Sequence, residues 1–557
     1  MIILKKMNKN IKDKLSLTEH NNEFSFKKNA SNLNISFNRI AFVFFVFFII
    51  SLFFSVKIFY FSSKFNKKIY FSQEIKKIFR SDIIDINENI VAKSVITNNV
   101  GINPKLVKDK KKLLLKLQLI FPNKNFSKIE KKLLKNKFFY IEKRMSPEKF
   151  NKIRLLGEKS IITEQKITRI YPQGKLFSHI VGQIDDNNNG ISGLEKSFDK
   201  ELKSKEEPIT LTLDANIQFL IREELIKAQN IFKTIGSASI LMNVNNGEIL
   251  SLVSLPDFNL NKRKEIIDVN YINRATKGVY EFGSVFKTFT IAAALNEKLI
   301  EPETEFVDLP KSIDCAGFPI REYDQNIPST LTTEQILIRS GNIGSVRIGQ
   351  KVGQDKYKSF LSKLGIIEEI NFDIEEVGKP LKFNWGKCPL ATASFGHGIT
   401  TTLLQVVKAY SIIVNGGFNV NPALIKKKLT NKKEKILNED VSQKILPILR
   451  KIVATKEGTA ELANVDGYEI GGKTGTANKS SKGGYSNKKI NTFVSIFPTS
   501  KPKFVLAVML EEPKINEDYI YEYRDGSNFK LKGSPRNTAG WTSVEIVGKI
   551  IEKIGLF

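Results

Sequence analysis

The chain is 557 residues long and carries 87 Lys and Arg against 58 Asp and Glu, a formal net charge of +29. That length exceeds one ordinary domain, so at least two domains and tails are expected. A basic balance can mean nucleic acid or an anionic surface, but here the lysines are spread over the whole chain, alongside heavy use of Asn, Ile and Phe. Zinc-finger spacing and RNA-binding aromatic motifs are both missing, so no nucleic-acid partner is expected.

The first strong element is a run without charge, Ile40 to Val56, which continues past Lys57 to Phe61. As a helix, residues 40–61 would span about 33 Å, enough for a bilayer core, with Lys57 snorkelling toward a headgroup. A cleaved signal peptide fits less well, because a long polar segment precedes the run and no A-x-A-like site follows. Lysines flank the run on both sides, so charge alone does not orient it. The expectation is a single-pass anchor with a 1–39 tail.

Residues 62–205 gather no set of catalytic groups and read as a spacer or docking domain. Ser146-Pro147 and Gly157 punctuate one helix there, with Phe150, Ile153 and Leu156 on one face. A second domain, 206–557, begins near Pro208. The segment ITLTLD alternates like a strand and ends on Asp214, a helix N-cap, after which Ile217, Leu220, Ile221 and Ala228 share a face. Two strands flank Asn245-Asn246-Gly247, a hairpin signal. Two more flank Pro498 to Pro502, and the strand holding Lys473 makes a fifth. The closing segment sets Val544, Val547, Ile551 and Ile554 at helical spacing. Together these imply an α+β fold with one antiparallel five-stranded sheet between helical layers.

GYEIGGKTGTA, Gly467 to Ala477, reads two ways. As G-x-x-x-x-G-K-T it is a phosphate loop, but that needs a buried strand before it and a helix after it. AELANVD and GTANKSSKGGYSN supply neither. As K-T-G-T it is the substrate strand of a serine acyltransferase, which further needs a nucleophile with a base in reach. EFGSVFKTFTIAAAL provides Ser284 three residues before Lys287 at the start of an apolar helix, where i and i+3 share a face and the helix start favours developing negative charge. A lysine in such a helix would be costly without a function. IRSGNIGSV adds Ser340 and Asn342. S-x-x-K, S-x-N and K-T-G in this order form a specific signal. With only His20, His179 and His397 in the chain, a Ser-His-Asp triad has little to build on. Cys315 and Cys388 cannot form a disulfide framework and lack metal-site spacing, so they read as small buried residues. No metal or cofactor is implied.

With these motifs the chain resembles the class B penicillin-binding proteins, and among them the septal peptidoglycan D,D-transpeptidases. RIYPQGKLFSHIVG and GISGLEKSFDKEL, SFGHG, GTAELANVDGYEIGGKTGTA and TAGW carry the same likeness, from about residue 80 onward. The resemblance implies a 62–205 pedestal and a 206–557 transpeptidase domain outside the inner membrane, with the tail in the cytoplasm. It implies Ser284 as nucleophile, Lys287 as general base, and Ser340 and Asn342 as the proton relay and amide contact. It further implies that Lys473, Thr474, Gly475 and Thr476 form the strand holding the donor's carboxylate, with the N–H groups of Ser284 and Thr476 as oxyanion hole. Arg169 and Glu195 match joining motifs with a structural role, and His397 lies in a loop near the site. Two departures stand out: RSDIIDINE from Arg80 lacks the glycines of the usual pedestal motif, and Phe282 replaces a usual proline.

The implied partners are D-Ala-D-Ala stem peptides, β-lactams, the membrane, a separate membrane glycosyltransferase and other division proteins. The alternatives are an elongation-type transpeptidase, and a membrane-anchored β-lactam sensor or D,D-carboxypeptidase of the same fold.

Overall fold

The computed structural model describes residues 17–20, 23–28, 31–262, 271–427, 434–481 and 484–555. Residues 1–16, 21–22 and 29–30 of the expected tail lie outside that set. The chain divides into two compact units, Met1–Phe79 and Arg80–Phe557.

In the first unit, β1 (Leu17–His20), β2 (Glu23–Lys28) and β3 (Ser31–Ser36) form an antiparallel sheet. They precede one 42-residue helix, α1 (Phe37–Ile78). Its Ala41–Tyr60 stretch is the one helical segment among the described residues long and apolar enough to cross a membrane, and it is exposed throughout. By length and composition this stretch could cross a bilayer core. The ammonium of Lys57, the charge in this stretch, sits 5.2 Å from the centre of the Phe53 ring.

The second unit opens with a long strand. β5 (Ile90–Ile102) pairs with β4 (Ile83–Ile84) at its start. The chain then passes through α2 (Lys110–Ile120) and α3 (Phe126–Leu134), each started by an Asp or Asn side chain accepting a backbone N–H. β6 (Phe139–Met145) and β7 (Ile161–Ile170) both pair with β5, and α4 (Pro147–Leu155) between them is capped by Ser146. Leu113, Leu117, Leu133, Met145 and Ile153 form a small core of their own here. The turn from RSDIIDINE is held by the Asp85 carboxylate, which accepts from the N–H groups of Asn87 and Asn89. Glu88 takes the left-handed φ of +65° that a glycine would adopt at less cost.

β8 (Ile209–Thr210) corrects one expectation. Most of ITLTLD is not strand, and the two residues that are pair in parallel with β4, away from the main sheet. Asp214 does cap α5 (Ala215–Phe232). The main sheet then builds from β9 (Gly236–Asn243) and β10 (Ile249–Leu255). The chain next runs through α6 (Phe286–Asn296), the hairpin β11 (Ser312–Cys315) and β12 (Phe318–Arg321), α7 (Asn342–Val352), α8 (Lys387–Ala393), α9 (Leu403–Val414) and α10 (Glu439–Ala454). It returns as β13 (Gly471–Ser481), β14 (Gly484–Phe497) and β15 (Phe504–Glu511), and ends in α11 (Ser543–Ile554). The sheet order is β10-β9-β15-β14-β13, antiparallel throughout. α5 and α11 pack on it and on each other, while α9 and α10 pack on it with α6 against α10. β13 is therefore an edge strand, with one side unpaired by any strand among the described residues.

The expectation of two small buried cysteines is wrong. Cys315 on β11 and Cys388 on α8 are half-buried and form a disulfide, with Cα atoms 5.5 Å apart, inside the ordinary range for such a bond. Two cysteines 73 residues apart carry no pairing signal until the fold brings a hairpin tip to a helix start.

Candidate functional site

Residues Gly283–Val285 make one tight turn that leads into α6. In that turn Ser284 is half-buried between buried Gly283 and Val285. From Phe286 to Leu295 every residue of α6 is buried, Lys287 included. A buried ammonium needs acceptors, and Lys287 Nζ has three: the Ser340 carbonyl, Ser340 Oγ at 3.1 Å and Asn342 Oδ1 at 2.7 Å. Lys473 reaches the same hydroxyl from β13, its Nζ 2.9 Å from Ser340 Oγ. One serine oxygen thus lies between two buried amines.

The backbone around Ser340 is shaped to allow this. Ser340 takes a left-handed φ of +59°, a strained choice for a non-glycine residue. α7 starts immediately after, and the Glu322 carboxylate caps it, accepting from Asn342 N at 2.7 Å and Ile343 N at 2.8 Å. The Asn342 side-chain amide donates to the Arg321 carbonyl at 2.7 Å, which turns its oxygen toward Lys287. The β11–β12 hairpin therefore fixes Asn342, and the disulfide ties that hairpin to α8.

Electrostatics follow from burial. Burial holds Lys287 down to about 7, against the Glu322 charge, which favours its ammonium form. Lys473 is pushed well below its usual range by burial and by the nearby Lys287. Two cations that share a dry site and one acceptor cannot both stay fully charged at neutral pH.

β13 forms the facing wall. Thr474 Oγ1 and Thr459 Oγ1 are 2.7 Å apart, and Thr476 Oγ1 accepts from Ala539 N at 3.0 Å. Gly475 is required: a Cβ there would stand 2.2 Å from the Phe282 carbonyl, so only glycine lets the strand approach the Ser284 turn this closely. Ser284, Lys287, Ser340, Asn342, Thr474 and Thr476 all line one cleft of about 1020 Å³. No helix follows Thr474, which lies in extended strand, and the phosphate-loop reading ends there.

His397 lies on the cleft rim, its ring 4.6 Å from that of Tyr485. The Tyr485 hydroxyl and Gly398 N both donate to the Glu281 carboxylate, at 2.9 and 2.8 Å. Arg169 and Glu195 do not line that cleft. They form a buried cluster with Arg80, with Arg169 Nε and Arg80 Nε each 2.7 Å from a Glu195 oxygen. Sequence reasoning missed Glu322, Thr459 and Glu281 as shapers of the site. Thr459 and Glu281 stood inside stretches already singled out, but Glu322 stood in none and became visible only through the α7 start.

Comparison with known proteins gives the family. The penicillin-binding protein transpeptidase domain matches residues 237–527, and the penicillin-binding protein dimerisation domain matches 77–230. The chain belongs to the penicillin-binding protein transpeptidase family. The peptidoglycan D,D-transpeptidase FtsI of Buchnera aphidicola is 30% identical over 497 residues, covering 79% of this chain and 83% of that protein. The probable peptidoglycan D,D-transpeptidase FtsI of Caulobacter vibrioides is 27% identical over 494 residues, covering 86% and 81%. Penicillin-binding protein 3 of Mycobacterium tuberculosis, solved in complex with aztreonam, has the same fold, with a TM-score of 0.65 at 21% identity over 86% of this chain and 96% of that one.

Proposed function

We propose that the protein is a serine peptidoglycan D,D-transpeptidase of septal wall synthesis that acylates Ser284 with a donor stem peptide and passes the acyl group to an acceptor amine. The observation that carries this is the Ser340 hydroxyl held between two buried lysine amines, 3.1 Å from Lys287 and 2.9 Å from Lys473, in the cleft that Ser284 lines.

In this reading Ser284 Oγ attacks the penultimate D-Ala carbonyl while neutral Lys287 takes its proton. The donor's carboxylate binds beside Lys473, Thr474 and Thr476 and favours the charged form of Lys473. A proton then belongs on Lys473, and Lys287 is free to act as base, with Ser340 the hydroxyl that connects them. That relay returns a proton to the leaving D-Ala nitrogen. The N–H groups of Ser284 and Thr476 receive the oxyanion. Asn342, held by Glu322 and the Arg321 carbonyl, contacts the donor amide.

The proposed organisation is a cytoplasmic 1–39 tail, a 40–61 crossing of the inner membrane, a 62–205 pedestal and a 206–557 transpeptidase domain on the outer side. Glycan polymerisation is left to a separate membrane glycosyltransferase working with other division proteins. Incubation with fluorescent penicillin, then peptide mapping, tests the reading: the expected result is a stable adduct on Ser284, lost in Ser284→Ala. Rapid drug turnover would indicate a lactamase instead, and an adduct on Ser340 would overturn the assignment.

A further inference from the structure

The lobe between β5 and β7, residues 103–160, is charged unlike the rest of the second unit. It holds 18 Lys and Arg against 5 Asp and Glu, a net +13, while residues 206–557 hold 46 against 40, a net +6. Lysine is common throughout the chain, but in this lobe its counter-charge is missing. The few acids are also engaged: Asp109 caps α2, and Glu142, Glu148 and Glu158 each pair with a lysine. Among the described residues Lys108, Lys111 and Lys112 join no ion pair, and all three are exposed.

α2 carries apolar side chains on two opposite faces. Leu113 and Leu117 are buried in the lobe's small core. Leu115 and Leu119, about half a turn round the helix from them, are 66% and 86% exposed. Lys111 stands one turn before Leu115, and Leu115 one turn before Leu119, so the outward stripe runs from ammonium groups to leucines. α4 packs on α2 and ends on Leu155, which is 86% exposed as well. A soluble helix turns polar residues outward, and large leucines exposed beside lysines mark an interaction face.

The combination selects the occupant. A soluble polyanion would satisfy the lysines and leave the leucines in water. A bilayer with anionic headgroups satisfies both, its phosphates taking the ammonium groups while the leucines enter the acyl boundary. We propose that the outward face of α2, with Leu155 of α4, docks on an anionic lipid surface. The inference rests on the proposed 40–61 crossing, which tethers the chain to a bilayer. The tether makes this second contact intramolecular, so a weak one suffices.

The test uses the full chain in lipid nanodiscs, made of phosphatidylcholine alone or of equal parts phosphatidylcholine and phosphatidylglycerol. Gln118→Cys, at an exposed position beside Leu119, carries an environment-sensitive fluorophore, since Cys315 and Cys388 are held in a disulfide. A separate Leu52→Cys reports the crossing. Nitroxide lipids, labelled near the headgroup or deep in the acyl chain, are the quenchers. The shallow label should quench the fluorophore at 118 in the anionic discs and far less in phosphatidylcholine, and high salt should reverse it. Each lysine near an anionic surface contributes about fivefold to binding, so Lys108→Gln, Lys111→Gln and Lys112→Gln together should weaken the contact about a hundredfold. Quenching should then fall to the phosphatidylcholine level, and the corresponding three Arg substitutions should retain it. Labelling with fluorescent penicillin checks that each variant is folded. Equal quenching in both discs, or none in either, overturns the anionic surface. No quenching in the discs, with a blue shift in membranes of the expressing cell, would give the face to a protein partner and overturn it too. If the deep label does not quench the fluorophore at 52, the crossing itself fails, and the inference with it.

Discussion

Two of the places where the protein buries charge are balanced differently. Where β5 and β7 meet the segment around Glu195, Arg80 and Arg169 share the Glu195 carboxylate, and Arg80 also donates to Asp199 at 2.6 Å. Two guanidinium groups face two carboxylates, and carbonyls of Asn188, Glu195 and Arg80 take further donors. In the cleft, two lysines converge on one hydroxyl, and the nearest carboxylate, Glu322, is engaged in capping α7. Burial with compensation gives a strut. Burial without it leaves a proton that is easily moved, which suits acid–base chemistry.

The comparison breaks most visibly at Glu195. Glu195→Ala takes the carboxylate partner from buried Arg169 and leaves Arg80 with Asp199 alone, and removing one partner of such a cluster costs about 3–5 kcal/mol. Urea denaturation should therefore show a large loss of stability, while the folded fraction still binds penicillin. A loss of acylation in protein shown to be folded would mean that the junction does more than support.

Lys287 should show the opposite pattern. Arginine keeps a charge but does not give up its proton in proteins, so Lys287→Arg should acylate as poorly as Lys287→Ala. General-base catalysis contributes about 10²–10⁴-fold, and a loss of about 10³-fold is expected in stopped-flow acylation, with the fold intact by circular dichroism. Near-wild-type acylation by Lys287→Arg would make Lys287 an electrostatic residue and move the base elsewhere.

A smaller effect belongs to the disulfide, which links the two themes because it supports the hairpin that caps α7. Cys315→Ser opens a 73-residue loop, and native bridges are typically worth about 2–4 kcal/mol. Stability should fall by an amount in the lower half of that range, because the hairpin keeps its strand pairing. Acylation should slow modestly as Asn342 loses its fixed orientation. Unchanged acylation after mild reduction, with free thiols verified by labelling, would separate the hairpin from the site.

How much of this was legible in sequence depended on whether the signal was local. The five strands of the main sheet, the Asp214 and Ser146 caps and the α6 helix follow from alternation, periodicity and capping within short windows. The motif residues Ser284, Lys287, Ser340, Asn342, Thr474 and Thr476 meet in one cleft, with Lys473 behind Ser340, because their spacing reflects where the strands and helices return. What could not be read needed distant contact. Glu322 acts through the start of a helix 20 residues on, the cysteines meet through a hairpin, and ITLTLD yields most of its strand pattern to contacts with the loop around Leu424.

The smallest expected effect is the pH dependence of acylation, and its sign follows from Lys287. In the proposed mechanism the active form is the neutral amine, and burial holds this lysine down to about 7. Above that value most Lys287 is already neutral and acylation should be flat. Below it the neutral fraction falls about tenfold per unit, about 1.4 kcal/mol for each. The same shift has a stability consequence. Between about 7 and 10.5 the unfolded chain binds more protons at this residue than the folded one, so its contribution to stability rises with pH across that window. Glu322 supplies the refinement, because its charge favours the ammonium form of Lys287. In Glu322→Gln, whose amide oxygen can still accept from the α7 start, the acid limb should move to lower pH. An acid limb that stays in place would mean that Glu322 acts on Asn342 alone, and that the proton lost near neutrality belongs to another group in the cleft.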